Sequence, residues 1–208
     1  DAKIALLETV AYFFRQVGKL KYYEKVKATR KIKILFADHT PLVGGAQLAL
    51  LRHLKYLDKD IFTPVVVVSK QCQDFNHKLG EIRGLSRYFM NFPKLKTFNP
   101  FAIFSYKLAC LRVYLIAFKE RPDILVANTE RSFYVCFPAA LICRKKLVLI
   151  IRDFEYSKKL LSLTSFKVSR YICVSKKIRD FYVLPEEKSV VIYVGSDMEK
   201  EISKISEI

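Results

Sequence analysis

Acidic side chains are scarce in this chain: 20 Asp and Glu stand against 37 Lys and Arg, a formal net charge of +17 at pH 7. A surface so unbalanced attracts polyanions, whether nucleic acid, anionic lipid headgroups or phosphorylated ligands, and composition alone does not choose among them. The common nucleic-acid signatures are also missing, with no C2H2 spacing, no RNP1-like stretch and no long basic block, so nucleic acid is disfavoured as a partner. Tryptophan is absent and histidine is limited to His39, His53 and His77. The cysteines, Cys72, Cys110, Cys136, Cys143 and Cys173, form no CxxC pair. An odd, scattered set fits free buried thiols in a reducing compartment, and no histidine clusters with it, so no metal site is expected. Neither GxxxxGK[ST] nor GxGxxG occurs, and "PVVVVSK" ends in Ser69 and Lys70 rather than in an acid, which argues against a P-loop and against a dinucleotide cofactor.

Long uncharged apolar runs are lacking too, so no segment reads as a plain transmembrane helix. Two segments come near. Residues 1–31 read as an amphipathic helix with a basic tail, with Leu6, Val10, Phe13 and Val17 on one face and Glu8, Tyr12, Arg15 and Lys19 on the other. The stretch "FAIFSYKLACLRVYLIAFKE" from Phe101 is interrupted by Lys107 and Arg112. Each fits a helix packed on its own domain or, alternatively, an interfacial anchor whose cations meet anionic headgroups.

What is present is a chain able to fold: apolar residues make up 51% of it, with 16 Phe and 12 Tyr. Short apolar runs read as strands buried on both faces: "IKILFAD", "PVVVVS", "DILVANT", "LVLIIRD", "RYICVS" and "SVVIYVG", with a weaker one at "RYFMNF". Between them lie helical patterns over Gly45–Leu57, Asn99–Glu120, Arg131–Arg144 and Ser175–Tyr182. This alternation implies an α/β fold, a Rossmann-like open parallel sheet of about seven strands with helices on both faces. Ligands of such sheets sit beyond the strand C-termini, which singles out Asp38, Asn128, Thr129, Arg152, Asp153 and Ser175.

One strand leads through "HTPLVGGAQ" into a helix. At Gly44 and Gly45 a ligand can approach the backbone and φ can turn positive, while the helix that follows leaves its first amides unpaired and partly positive. Such a place suits a phosphate or carboxylate. The plainer alternative is that the glycines only permit a tight turn.

With its neighbours, this loop resembles a known family. "KILFADHTPLVGGAQLALLRHL" is similar to the first strand and glycine loop of family-4 retaining glycosyltransferases of the GT-B fold, "ERPDILVANT" to their Pro-Asp strand ending in Asn, and "SRYICVSKKIRDFYVLPEEKSVVIYVGSD" to their Val-Ser turn and closing crossover. The resemblance runs from Ile32 to Asp197 and implies an N-terminal, acceptor-side domain over 32–197, with residues 198–208 starting a linker toward a donor-binding domain supplied in cis or in trans. It further implies a UDP- or GDP-sugar as donor substrate, with no tightly bound cofactor, and a lipid-linked or polysaccharide acceptor. The isolated domain would then be inactive alone, and the setting would be cytoplasmic, on the inner face of an anionic membrane.

On this reading Gly44, Gly45, His39, Asn128, Thr129, Glu130 and Ser175 contact substrate, and Arg152 and Asp153 are the catalytic candidates. Where the family often carries His-Asp after its fifth strand, this chain carries Arg152-Asp153. An arginine stays protonated and is no general base, but it can hold a phosphate bidentately. Asp153 can orient an acceptor hydroxyl or accept its proton. The alternatives are a non-catalytic binding module of the same fold and, behind it, a basic nucleic-acid-associated protein.

Overall fold

The computed structural model describes residues 30–93 and 100–193. The N-terminal helix expected over 1–31 falls outside these residues apart from its last two positions, as do Asp197 and the linker expected over 198–208. The strands are β1 (Ile32–Asp38), β2 (Phe62–Ser69), β3 (Ser86–Met90), β4 (Ile124–Ala127), β5 (Lys146–Ile151), β6 (Val168–Cys173) and β7 (Ser189–Val191). They form one parallel sheet in the order β3-β2-β1-β4-β5-β6-β7. Strand order therefore reverses between β1 and β4, which lie side by side with Leu35 beside Leu125 and Ala37 beside Ala127.

The connecting helices are α1 (Gly45–Tyr56), α2 (Gln73–Gly80), α3 (Pro100–Glu120), α4 (Glu130–Ile142), α5 (Lys158–Thr164) and α6 (Lys176–Tyr182). Two of them, α2 and α5, were not expected from the sequence. Each is at most eight residues long, too short for helical periodicity to separate from loop. Right-handed crossovers fix which face each helix covers. Leu50, Leu54, Phe75 and Leu79 of α1 and α2 pack on one side with Ile34, Val66 and Val148. Val113, Phe133 and Ile178 of α3, α4 and α6 pack on the other with Leu35, Val67 and Leu149. Fully burying each such side chain contributes about 1.5–3 kcal/mol, so alternate residues of one strand serve two cores.

Proline appears twice where regular structure should resist it. Pro64 lies in β2, but the pairing with β3 starts only at Val65, so the proline stands just beyond that ladder. Pro138 lies inside α4 and cannot donate to the carbonyl of Tyr134 one turn back. That carbonyl is satisfied from outside the helix, by the Tyr106 hydroxyl of α3 at 2.9 Å. The α3–α4 contact thus repairs a defect that the sequence builds into α4. Replacing Tyr106 with Phe keeps the packing and orphans the carbonyl, and we expect a loss of about 1–2 kcal/mol in urea denaturation. An unchanged midpoint would show that water serves the carbonyl equally well.

Candidate functional site

The reversal between β1 and β4 brings together the C-terminal ends of β1, β4 and β5 and the N-termini of α1 and α4. At its centre is Asp38, the last residue of β1, which is 1% exposed. A buried carboxylate is tolerated only when its oxygens are well supplied with donors. Here Gln47 Nε2 donates to both oxygens at 3.0 Å. Asn128 Nδ2 donates to Oδ2 at 2.5 Å and the Thr40 amide to Oδ1 at 2.8 Å. Asn128 donates also to the Ala46 carbonyl at 3.2 Å, and its Oδ1 accepts from the Arg152 guanidinium at 2.8 Å. One connected network therefore runs from Arg152 through Asn128 and Asp38 to Gln47.

Gln47 carries that network to the glycine pair. Its Oε1 accepts the Gly44 amide at 3.0 Å, the side-chain half of a capping box. Gly44 itself adopts φ −133°, ordinary extended backbone, and no positive φ occurs at Gly45. The freedom to take a positive φ is therefore not used at either glycine, and the Gly44 amide is not free for a ligand. The next two amides differ. Among the described residues, the Gly45 and Ala46 N–H groups have no protein acceptor, since the first amides used within the turn are those of Gln47 and Leu48, which donate to the Gly44 carbonyl. Gly45 is exposed, and a Cβ built on it would meet nothing within 4 Å. Neither backbone conformation nor packing demands a glycine at 45, and the space in front of it is open.

On the β4 side a second chain of contacts orients His39. Ser132 Oγ donates to the Thr129 carbonyl at 2.7 Å, so its oxygen accepts from the Thr129 hydroxyl at 2.9 Å. Thr129 Oγ1 is then left as the acceptor for His39 Nδ1 at 2.7 Å. These bonds assign the Nδ1–H tautomer and leave the Nε2 lone pair without a donor among the described residues. Burial, with the Arg131 charge second, holds the imidazole below its ordinary pKa, and Asp38 and Asp153 oppose this more weakly. Phe92 stands edge-on to the ring at 6.5 Å. His39 is thus a neutral hydrogen-bond acceptor at neutral pH.

The remaining candidates are less central. Glu130 starts α4 and accepts the Tyr134 hydroxyl at 2.6 Å. Ser175 caps α6, accepting the Ile178 amide at 3.2 Å, a local role that accounts for its oxygen. Asp153 is exposed and accepts the Glu155 amide at 3.1 Å in a local turn, outside both networks. Arg152 is half-buried, and its Nε has no partner among the described residues. Burial lowers its pKa and Asp38 opposes this, but a guanidinium keeps its charge. Gln47 and Ser132 were not singled out from the sequence. Each is the third residue after its helix cap, where the capping-box pattern places a side chain that reaches back.

With this geometry in place, the comparisons with known proteins are informative. The family model for Glycosyltransferase Family 4 matches residues 43–200, the greater part of the chain, starting just before the glycine pair. The chain belongs to that family, and its fold is the N-terminal Rossmann-like domain of a GT-B glycosyltransferase. Anabaena HepE, solved in complex with UDP and glucose, superposes with a TM-score of 0.62 at 22% identity, covering 85% of this chain and 50% of that one. A glycosyltransferase from Rickettsia africae ESF-5 gives 0.62 at 18% identity, over 85% and 49%. MurG of Acinetobacter baumannii gives 0.59 at 12%, over 80% and 47%. The chain spans about half the length of these structures. No curated protein sequence matches it.

Two predictions follow from the site's electrostatics. Asp38→Ala strips the acceptor from Gln47 and Asn128 at once and should cost about 3 kcal/mol, loosening the turn before α1, as read by urea denaturation and by faster exchange of the Gly44 amide. His53, half-buried on α1, is pushed down to about 4 from 6.5 by burial and then by the Arg152 charge. The unfolded chain therefore binds the extra proton first as pH falls. The stability due to neutral His53 is full above pH 6.5 and is lost as pH drops toward 4. After discounting for its partial exposure, the loss should be on the order of 2 kcal/mol, and His53→Gln should flatten that limb of the stability profile.

Proposed function

We propose that this domain is the acceptor-side half of an enzyme that moves a sugar from a nucleoside diphosphate sugar to a lipid-linked or polysaccharide acceptor. A second domain, in cis or in trans, holds the nucleotide, and this half alone turns over no sugar. The single observation that carries the reading is the pair of amides at Gly45 and Ala46 that have no protein partner among the described residues, with open space in front of Gly45, at the rim of the sheet where strand order reverses. The UDP and UDP-glucose bound in the HepE crystals support a donor of this class, and the second domain chooses between UDP and GDP.

In the proposed reaction the sugar's anomeric carbon leaves the diphosphate oxygen and bonds to the acceptor hydroxyl oxygen, while the hydroxyl proton passes to the departing diphosphate. Charge grows on the diphosphate as the bond breaks. The Gly45 and Ala46 amides, the α1 dipole and the Arg152 guanidinium are suited to stabilise it, because they are held in place before the reaction starts. His39 Nε2 offers a lone pair to a neighbouring, non-reacting hydroxyl of the acceptor and orients the acceptor through it, leaving the reacting hydroxyl's proton to the diphosphate. His39 has no need to become protonated, which suits an imidazole whose pKa is lowered. Asp153, exposed beside this rim, is available to a further acceptor hydroxyl.

The test is isothermal titration of inorganic diphosphate, the part of the donor assigned to this half, into the chain and its variants. A Cβ at position 45 enters open space, so Gly45→Val should hold the melting temperature while affinity falls by about tenfold or more. Arg152→Gln should weaken binding comparably. Unaltered affinity in Gly45→Val would remove the amide cradle, and no binding by the unaltered chain would favour a binding module of the same fold that handles no donor.

A further inference from the structure

Helix α3 is apolar around most of its circumference, a pattern proper to a helix enclosed on all sides. It spans 21 residues with a mean hydropathy of 1.6 over its best window, yet only 17% of that window is buried. Ala109, Val113 and Ala117 face the core. At about 100° per residue, Phe101, Phe104, Leu108, Leu111, Leu115 and Phe118 fall on the opposite side. All of them are exposed, between 39% for Leu108 and 78% for Phe101. Lys107 borders this stripe on one edge and Arg112 and Lys119 on the other, and all three are exposed.

The helix does not cross a bilayer, since it is the crossover between β3 and β4 and packs along α4. Nor does its spacing suit a second copy of itself. The stripe has a coiled-coil period, but Lys107 and Arg112 occupy the flanking positions that face each other across a parallel pair, and both are cationic. Exposed apolar side chains are not confined to this helix. On the same side of the sheet, α4 exposes Leu141 (46%) and Ile142 (64%), and Phe166, 69% exposed, stands edge-on to Phe137 of α4 at 5.9 Å. Arg144 and Lys145 follow directly after α4. A wide apolar face with a cationic rim, on a chain of net charge +17, fits an extended anionic surface better than a single partner helix.

We infer that this face rests on an anionic lipid bilayer, with α3 lying in the plane of the headgroups, its Phe and Leu side chains in the acyl boundary and its cations on lipid phosphates. Because helices run back against parallel strands, the Phe101 end of α3 lies at the edge where the strands terminate. Docking therefore sets the side of the rim that carries His39 toward the membrane, while Gly45, which opens α1 on the other face of the sheet, stays on the far side. The inference concerns a surface distinct from the donor site, so it stands or falls apart from the sugar-transfer reading.

Flotation of the full chain with phosphatidylcholine vesicles, with and without phosphatidylglycerol, is the test. The chain should float with the mixed vesicles, less so in high salt, and remain behind with pure phosphatidylcholine. The double variant Leu111→Gln, Leu115→Gln should keep its thermal transition and lose partitioning by about tenfold or more, as removal of two inserted side chains implies. Since the chain has no tryptophan, Leu111→Trp supplies a lone reporter whose emission should shift to the blue on the mixed vesicles and be quenched by brominated lipid. Equal flotation of the double variant would overturn the inference, placing attachment elsewhere in the chain, and so would an unquenched Trp at 111. A chain that ignores vesicles but dimerises through α3, or that binds an acidic helix there, would overturn it equally.

Discussion

The buried carboxylate of Asp38 is the constraint on which this end of the molecule depends. It sits where strand order reverses and takes its donors from the loop after β1, from α1 and from β4. Through Asn128 it is tied to Arg152 on β5. An anion in that position holds three strand ends and one helix N-terminus in a single arrangement, because each of those donors would otherwise be buried without an acceptor. Two properties of the site follow. Gln47 is held so that it takes up the Gly44 amide, and the amides that stay free are those of Gly45 and Ala46. Arg152 is anchored through one nitrogen to Asn128, which sets a cation at the rim without a direct ion pair among the described residues.

The two sides of the rim differ in electrostatic character. The α1 side presents N–H dipoles and a guanidinium, which suits a group that gains negative charge. The β4 side presents a neutral imidazole whose tautomer is fixed by Thr129 and Ser132, so that Nε2 accepts rather than donates. The proposed transfer would use these two environments side by side, one for a leaving diphosphate and one for the acceptor. The exposed apolar stripe of α3 lies over the face of the sheet that also carries α4, with its Phe101 end toward this edge.

Much of this was legible in the sequence. Strands buried on both faces announce themselves as continuous apolar runs such as "VVVV" in β2, and their alternation with helical periods is enough to imply the parallel sheet and the edge at which ligands bind. Asp38, Asn128 and Arg152 could be singled out because each lies at a strand's end. Their connection to one another could not, since it depends on β1 and β4 becoming neighbours across 90 residues of chain. The glycine pair shows the limit most clearly. From sequence, flexibility of the backbone was the natural reason for both residues, but the structure gives Gly44 an unexceptional φ and leaves open space at Gly45. Short helices such as α2 and α5 left no periodic trace, and the compensation of Pro138 by Tyr106 rests on a contact between two helices that no local pattern encodes.

The central claim is that the amides of Gly45 and Ala46 form an anion cradle at the rim of the sheet. Amide-resolved nuclear magnetic resonance of the chain during titration with inorganic diphosphate addresses it most directly. The account predicts large, saturable shifts at Gly45 and Ala46, smaller ones at Gly44, whose N–H is already bound to Gln47, and none at the cap of α6 near Ser175. Shifts spread evenly over the exposed lysines, with Gly45 and Ala46 unmoved, would contradict it.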